Sequence, residues 1–181
     1  WYKKIASTNL WSYFWFSNII NSNKLTKYDN FDELVEKIIF PYKHNKEGKP
    51  LFIEKYEFIK KYPKTYNYLL TQKELLSTRD KGNGQYPDWY AFGRNQSLEL
   101  RKEKLFFPQL VKKGFKTFYN ENENLYFYNG MCAYASKKEL LTLQTIMKHN
   151  DFWKYVENKA KHYASCYYGL GRNYLKDYGV L

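Results

Sequence analysis

The hydrophobic residues of this chain change their spacing twice, and this change limits the fold more than any other feature of the sequence. Over residues 54–78 and 137–160 they recur every three or four positions, as on one face of a helix. Between Lys104 and Ala135 they form short apolar runs separated by turn residues, which is typical of strands. Helices on either side of a block of strands, without strict β-α-β alternation, predict a mixed α+β fold with a small, mainly antiparallel sheet.

The central block predicts several short strands. They are Leu105–Phe107, Phe115–Tyr119, Leu125–Tyr128 and Met131–Tyr134. The dipeptide Asn129-Gly130 between the last two predicts a two-residue hairpin, because both residues accept a positive φ. Earlier in the chain, Ile38–Phe40 predicts a strand that ends at Pro41, and residues 42–50 predict a polar loop.

Helix boundaries are marked by residues with specific capping chemistry. Ser136, followed three positions later by Glu139, predicts a capping box at the start of a helix. Pro63 predicts a helix start, because proline fits the first helical position. Further helices are expected at Asp151–Ala160 and Asn173–Tyr178, and the Gly- and Asp-rich residues 80–88 predict a loop.

The composition indicates a folded chain with a real core. Of its 181 residues, 44% are hydrophobic and 21% aromatic, which argues against disorder, and no apolar stretch is long enough for a membrane span. The two cysteines, Cys132 and Cys166, predict neither a disulfide framework nor a zinc site, and a reducing cytoplasm fits them best. Residues 1–35 form an aromatic-rich segment leading into a domain at 36–181, and since the chain opens at Trp1 we expect it to be part of a longer protein.

The net charge of +12 indicates a polyanionic partner. Codon bias offers another explanation: Lys, Asn, Tyr, Phe and Ile make up 83 of the 181 residues, as an A+T-rich genome would produce, and only four residues are Arg. The excess is also spread over both halves of the chain.

We find no catalytic residue, metal site or cofactor motif in the sequence. The Gly82-Asn83-Gly84 and Gly169-Leu170-Gly171 pairs lack the strand–turn–helix setting of a nucleotide fingerprint and are read as turns. Pro87-Asp88 has no acid-x-Lys partner at nuclease spacing, and the three histidines lack metal-ligand spacing. His149, at the end of a predicted helix, is expected to interact with the helix dipole.

Basic residues are densest between residues 93 and 116, directly after two aromatic residues and a glycine-containing loop. Arginine and lysine pair with phosphates, arginine also binds guanine in a bidentate manner, and Asn or Gln can bind adenine. Together with one arginine upstream, the predicted DNA contacts are Arg79, Trp89, Arg94, Asn95, Gln96, Ser97, Arg101, Lys102, Lys104, Lys112, Lys113 and Lys116. The alternative is that Trp89 and Tyr90 belong to the core and that the charges cover a solvated face.

Five short segments resemble, in order and spacing, a known protein family. They are Ile38–Tyr42, Tyr62–Leu69, Leu75–Asp80, the cluster of Trp89, Gly93 and Arg94, and Lys104–Pro108. The chain is similar over residues 36–180 to the C-terminal specificity region of bacterial adenine-N6 DNA methyltransferases, including those fused to an endonuclease. The helical tail at Glu139–His149 and Asp151–Tyr155 fits as well, but Lys148–Asp151 departs from the Asn-Ser pair that such proteins often carry there.

The resemblance implies a DNA target-recognition domain that is not catalytic by itself. Its partners would be duplex DNA and an N-terminal methyltransferase domain of the same chain, which would bind S-adenosylmethionine; the fragment itself would hold no cofactor. Two alternatives stay open: a single-stranded nucleic-acid or RNA-binding module that stacks bases on its aromatic residues, and a protein-interaction domain.

Overall fold

The structure is a computed structural model that describes residues 16–25, 27–28, 30–93 and 102–179. The chain divides into two compact units, the first comprising Trp1–Asn18 and Lys37–Leu100 and the second Ile19–Glu36 and Arg101–Leu181. The boundaries fall within two strands, β1 (Phe16–Asn21) and β2 (Glu36–Ile39).

Helices dominate the first unit. Its further elements are β3 (Tyr42–His44), β4 (Pro50–Phe52), α1 (Lys55–Lys61), α2 (Pro63–Leu70), α3 (Lys73–Ser77) and a 3-10 turn at Arg79–Gly82. Pro63 occupies the start of α2, as predicted. The prediction of a polar loop over residues 42–50 is wrong in part, because β3 and the start of β4 lie within this range and the two strands pair as an antiparallel hairpin. The side chain of Asn45 closes the turn by accepting hydrogen bonds from the amides of Glu47 (3.0 Å) and Lys49 (2.8 Å).

The core of the first unit is built from aromatic rings. Phe58 and Tyr90 stack with ring centroids 5.2 Å apart, and Tyr66 packs edge-on against both. The Tyr90 hydroxyl donates to the carbonyl of Ile53 at 3.0 Å. Burial raises the pKa of Tyr90 above its ordinary value, so this hydroxyl stays a neutral donor. Tyr90 is therefore a core residue.

The second unit contains the block of strands and the long helices. Its further elements are β5 (Lys104–Phe107), β6 (Leu110–Val111), β7 (Phe118–Asn120), β8 (Leu125–Asn129), β9 (Met131–Ala133), α4 (Lys137–Lys148), α5 (Asn150–Lys159), β10 (Lys161–Tyr163), β11 (Tyr167–Gly169) and α6 (Arg172–Asp177). Short 3-10 turns lie at Ser22–Lys24, Phe31–Leu34 and Ala164–Cys166. Among the described residues, the sheets that lie wholly within this unit have the strand orders β7-β5-β9 and β10-β11-β6, and their strands pair antiparallel.

Strand β5 is buried on both faces. Leu105 and Phe107 pack with the apolar faces of α4 and α5 in one hydrophobic cluster. Phe106, which points the opposite way, packs with Ile20, Leu34 and their neighbours in a second cluster. The central strand of this sheet thus joins the two hydrophobic clusters of the second unit.

Local capping chemistry sets the ends of the helices. Ser136 and Glu139 form the predicted capping box at the start of α4, where each side chain bonds the other residue's backbone amide. His149 ends α4 and caps α5, its Nδ1 accepting from the Asp151 amide at 3.4 Å. The helix predicted to start after Ser136 is confirmed as α4, and those predicted at 151–160 and 173–178 are confirmed to within one residue.

The Asn129-Gly130 hairpin prediction is wrong. Strands β8 and β9 follow each other along the chain, but they belong to different sheets. Gly130 has a φ of +95°, and a Cβ there would lie 2.5 Å from the Cβ of Ser22. The chain therefore crosses from one sheet to another at this dipeptide, where Gly130 lies close to Ser22 and Asn23.

The mixed α+β class is confirmed, with several small, mostly antiparallel sheets where the sequence predicted one. The predicted flanking helices are confirmed as α1 to α3 and as α4 and α5. None of the helices among the described residues combines the length and the apolar character that a membrane span requires.

We predict that Gly130→Ala lowers the free energy of unfolding by about 2–5 kcal/mol. A left-handed backbone costs a residue with a Cβ roughly 1–2 kcal/mol, and overpacking against Ser22 adds about 1–3 kcal/mol. Urea denaturation followed by circular dichroism measures the loss. Gly114→Ala is the control, because Gly114 also has a positive φ of +75° but nothing within 4 Å of its Cβ position. Equal losses in the two variants would contradict the close contact at Gly130.

Candidate nucleic-acid interface

The predicted DNA contacts fall into two groups in the structure. Arg94, Asn95, Gln96, Ser97 and Arg101 lie outside the described residues, so their role remains a prediction. The other seven are described, and they occupy five different environments.

Arg79 holds a loop of the first unit together. Its Nε donates to the carbonyl of Leu76 at 2.7 Å, Nη1 to that of Ala91 at 2.8 Å and Nη2 to that of Trp89 at 2.7 Å. Its guanidinium also lies over the ring of Tyr86, 4.5 Å from the centroid. The planar fork suits this task, because one side chain reaches three carbonyls. The predicted DNA contact of Arg79 remains a prediction, and its observed bonds are within the unit.

The loop that Arg79 holds ends immediately before the predicted base-reading run. Tyr86 packs closely over two glycines, since a Cβ on Gly93 would lie 3.2 Å from its hydroxyl and a Cβ on Gly84 would overlap its ring. Trp89 is partly buried, with its ring 5.3 Å from that of Tyr90. Trp89 therefore packs on the aromatic core, as the alternative reading of the sequence expected.

The expectation that Lys104 is a surface cation is wrong. The side chain is 1% exposed, and it lies on the same face of β5 as Phe106. Its amine donates to the carbonyls of Lys102 at 2.8 Å and Glu123 at 3.1 Å. Burial lowers the pKa of Lys104 to about 8, because the charged form loses hydration there. Lys104 cannot reach a phosphate while β5 is in place.

Two of the exposed lysines lie over tyrosine rings. The amine of Lys112 is 4.3 Å from the ring centroid of Tyr167, and that of Lys102 is 5.6 Å from the centroid of Tyr134. Such cation–π contacts leave the ammonium hydrated on its outer side. Both cations therefore remain available to a ligand at the surface.

The remaining two lysines line a groove of about 540 Å³ in the second unit. Lys148, a residue that sequence reasoning did not select, lines the same groove. The borders of the groove are formed by Leu25, Tyr28, Phe31 and Leu34, by residues 113–118 after β6, and by the junction of α4 with α5. Its lining residues are Leu25, Tyr28, Phe31, Leu34, Lys113, Gly114, Phe115, Lys116, Thr117, Phe118, Met147, Lys148, His149, Asn150 and Trp153.

Specific contacts hold the segments of the groove in place. Phe31 and Phe118 stack with 9° between their ring planes. The side chain of Gln144, on α4, donates to the carbonyl and hydroxyl of Thr117 at 3.3 and 3.1 Å. The amine of Lys116 donates to the carbonyl of Tyr28 at 3.3 Å. The groove is thus a built feature of the second unit.

The electrostatics of the groove favour an anion. Its described lining contains three lysines and no acidic residue. Asp32 and Glu33 belong to the same turn as Phe31 but do not line it. Asp151, next to the lining residue Asn150, faces the side chains of His149 and Lys154 at 3.4 and 3.5 Å. Within the described part of the chain, Lys113 and Lys148 form no ion pair that would neutralise them.

The segment Lys148–Asp151 forms the helix junction at the groove, and its first three residues line the groove. Its lysine was missed because it lies 32 positions beyond Lys116.

In the described ranges, no three His, Cys, Asp or Glu side chains come close enough together to hold a metal ion. A comparison with protein families and with curated protein sequences finds no match for this chain.

We predict that the pH dependence of unfolding reveals the buried amine of Lys104. Its pKa is 10.5 in an ordinary setting and about 8 in the fold, so between these values the unfolded chain binds the extra proton. The free energy of unfolding of the wild type should therefore rise relative to Lys104→Met as the pH increases from about 8, by at most about 3 kcal/mol. Urea denaturation from pH 7 to pH 10 measures this difference. Lys102→Met, which removes an exposed lysine, is the control, and parallel curves for the wild type and Lys104→Met would disprove the burial.

We also predict that Arg79→Lys loosens the loop over residues 84–93. A lysine keeps the charge but cannot reproduce a fork to three carbonyls, so the free energy of unfolding should fall by about 1–3 kcal/mol. Hydrogen exchange should become faster across the loop. Arg172→Lys, at the exposed start of α6, is the matched control. Unchanged exchange in Arg79→Lys would show that the three bonds do not hold the loop.

Proposed function

We propose that this chain is a DNA target-recognition domain, which binds duplex DNA for an adenine-N6 methyltransferase of a restriction–modification system. The observation that carries the proposal is the groove in the second unit, whose described lining includes Lys113, Lys116 and Lys148. Lysines that line one groove can pair with the phosphates of a nucleic-acid backbone. The net charge of +12 supports the same class of partner.

In the proposed domain, one set of residues sets the affinity for DNA and another sets the sequence specificity. The groove lysines, with Lys102 and Lys112 over their tyrosine rings, would contact phosphates and set the affinity. The run Arg94–Ser97, which follows directly on the loop held by Arg79, would read the bases. Arg79 then contributes by positioning this run.

The methyl transfer belongs to another part of the proposed parent protein. An N-terminal catalytic domain would bind S-adenosylmethionine, and the whole enzyme would act in the cytoplasm. This part of the proposal depends on the order of the five sequence segments between Ile38 and Pro108. The domain described here would supply the grip on the target.

A second candidate function is supported by the aromatic lining of the same groove. Tyr28, Phe31, Phe115, Phe118 and Trp153 all border it. Aromatic rings next to lysines also suit single-stranded nucleic acid, whose bases stack on them. The preference between single and double strands decides between the two functions.

We predict that the full 181-residue chain binds duplex DNA with an affinity that falls as salt rises. The triple variant Lys113→Ala, Lys116→Ala, Lys148→Ala should weaken binding and reduce the slope of log K against log salt by about 0.9 for each phosphate contact removed. Fluorescence anisotropy of labelled duplex, single-stranded DNA and RNA, each at several salt concentrations, measures both quantities.

The control triple variant is Lys138→Ala, Lys159→Ala, Lys176→Ala. It removes the same charge from exposed lysines of the second unit that do not line the groove. Equal losses in both variants would mean that charge acts without a site. Preference for single strands would favour the second function, and a lack of binding to any nucleic acid at low salt would overturn both.

A further inference from the structure

The groove has features beyond those that a phosphate backbone needs. Its volume of about 540 Å³ lies within the range of roughly 300–1,000 Å³ that is usual for small-molecule sites. Its lining combines lysines with apolar side chains, including Phe31, Phe115 and Met147. A ligand that matches both kinds of side chain is flat and apolar at one end and anionic at the other.

The start of helix α5 adds to the positive charge of the groove lysines. His149 and Asn150, the cap and first residue of this ten-residue helix, both line the groove. The amino end of a helix carries a partial positive charge and favours a bound phosphate. Lys148 immediately precedes the cap residue His149 and lines the same groove, so its positive charge adds to that of the helix dipole.

Trp153 carries a hydrogen-bond donor without an acceptor. The side chain is 7% exposed and lines the groove. Among the described residues and in the absence of a ligand, its indole Nε1 has no hydrogen-bond partner. A buried donor left without an acceptor costs free energy and calls for an explanation. Because Trp153 also lines the groove, a bound molecule that displaces the atoms covering Nε1 would supply the missing acceptor.

We propose that the groove binds one nucleotide. The phosphate lies between Lys113, Lys148 and the start of α5, and the base lies on the apolar side chains, where it offers a ring nitrogen or carbonyl oxygen to the Trp153 indole. The nucleotide is either a free nucleoside monophosphate or one residue of a DNA strand. This inference deepens the proposed function, and it rests on that function only where the bound nucleotide belongs to a DNA strand.

The test follows the indole N–H of Trp153 by two-dimensional ¹H–¹⁵N NMR of the full chain. The indole signal that the wild type shows and Trp153→Phe lacks is that of Trp153, which distinguishes it from the other four of the five tryptophans. Titrations use dAMP, deoxyadenosine, inorganic phosphate and a single-stranded tetranucleotide. The Trp153 signal should shift with dAMP or the tetranucleotide, and less with inorganic phosphate alone.

Calorimetry with two variants separates the two ends of the ligand. Trp153→Phe keeps an aromatic ring but removes the donor, so dAMP affinity should fall roughly two- to tenfold while phosphate affinity is unchanged. Lys113→Ala with Lys148→Ala should weaken both ligands. Lys138→Ala with Lys159→Ala is the charge-matched control and should weaken neither. If Trp153→Phe does not fold, the two lysine pairs and the wild-type titrations still test the site.

The outcomes distinguish this inference from the proposed function. Salt-dependent duplex binding with no shift of the Trp153 signal by any nucleotide would overturn the inference and leave the proposed function standing. A shift by dAMP without duplex binding would support the nucleotide site and overturn the proposed function. Tighter binding of the tetranucleotide than of dAMP assigns the nucleotide to a strand, and the reverse assigns it to the free monophosphate.

Discussion

The second unit depends on the burial of strand β5 on both faces. A strand between two apolar layers must carry hydrophobic side chains in both directions, and Leu105, Phe106 and Phe107 do so with at most 1% exposure. Phe107 packs with the helices α4 and α5, whereas Phe106 packs with the segment around Ile20 and Leu34. The segments that border the groove come from these two sides. Its position therefore follows from the burial of one short strand.

The fold also places lysines that are close in sequence in different environments, although each carries the same charge. Lys104 lies on the buried strand and binds two carbonyls, Lys112 lies over a tyrosine, and Lys113 borders a groove. These three lysines lie within ten positions of each other in the sequence, yet they have three different environments. Of the three, Lys113 alone borders a groove with aromatic rings in its lining, and this environment suits an anionic aromatic ligand. Net charge alone indicates a polyanion but does not say which cations meet it.

In the proposed domain, Arg79 would support recognition through the loop that it holds. Its three bonds to carbonyls stabilise the loop that leads into Arg94, at the place where the sequence predicts base contacts. A base-reading segment must be held in position, because an unordered one loses conformational entropy on binding. In the proposed domain, one arginine positions the loop and others read the DNA.

The sequence by itself determined the features that depend on a few neighbouring residues. The capping box of Ser136 and Glu139, the helix start at Pro63 and the apolar run of β5 were all predictable, because their chemistry is complete within one turn or one strand. Tertiary structure alone decided the features that join distant residues. Gly130 faces Ser22 rather than closing a hairpin, Lys104 is buried by the elements around its strand, and Lys148 lines the same groove as Lys113. Spacing along the chain reports local backbone preference, whereas burial and convergence arise only when the hydrophobic faces pack together.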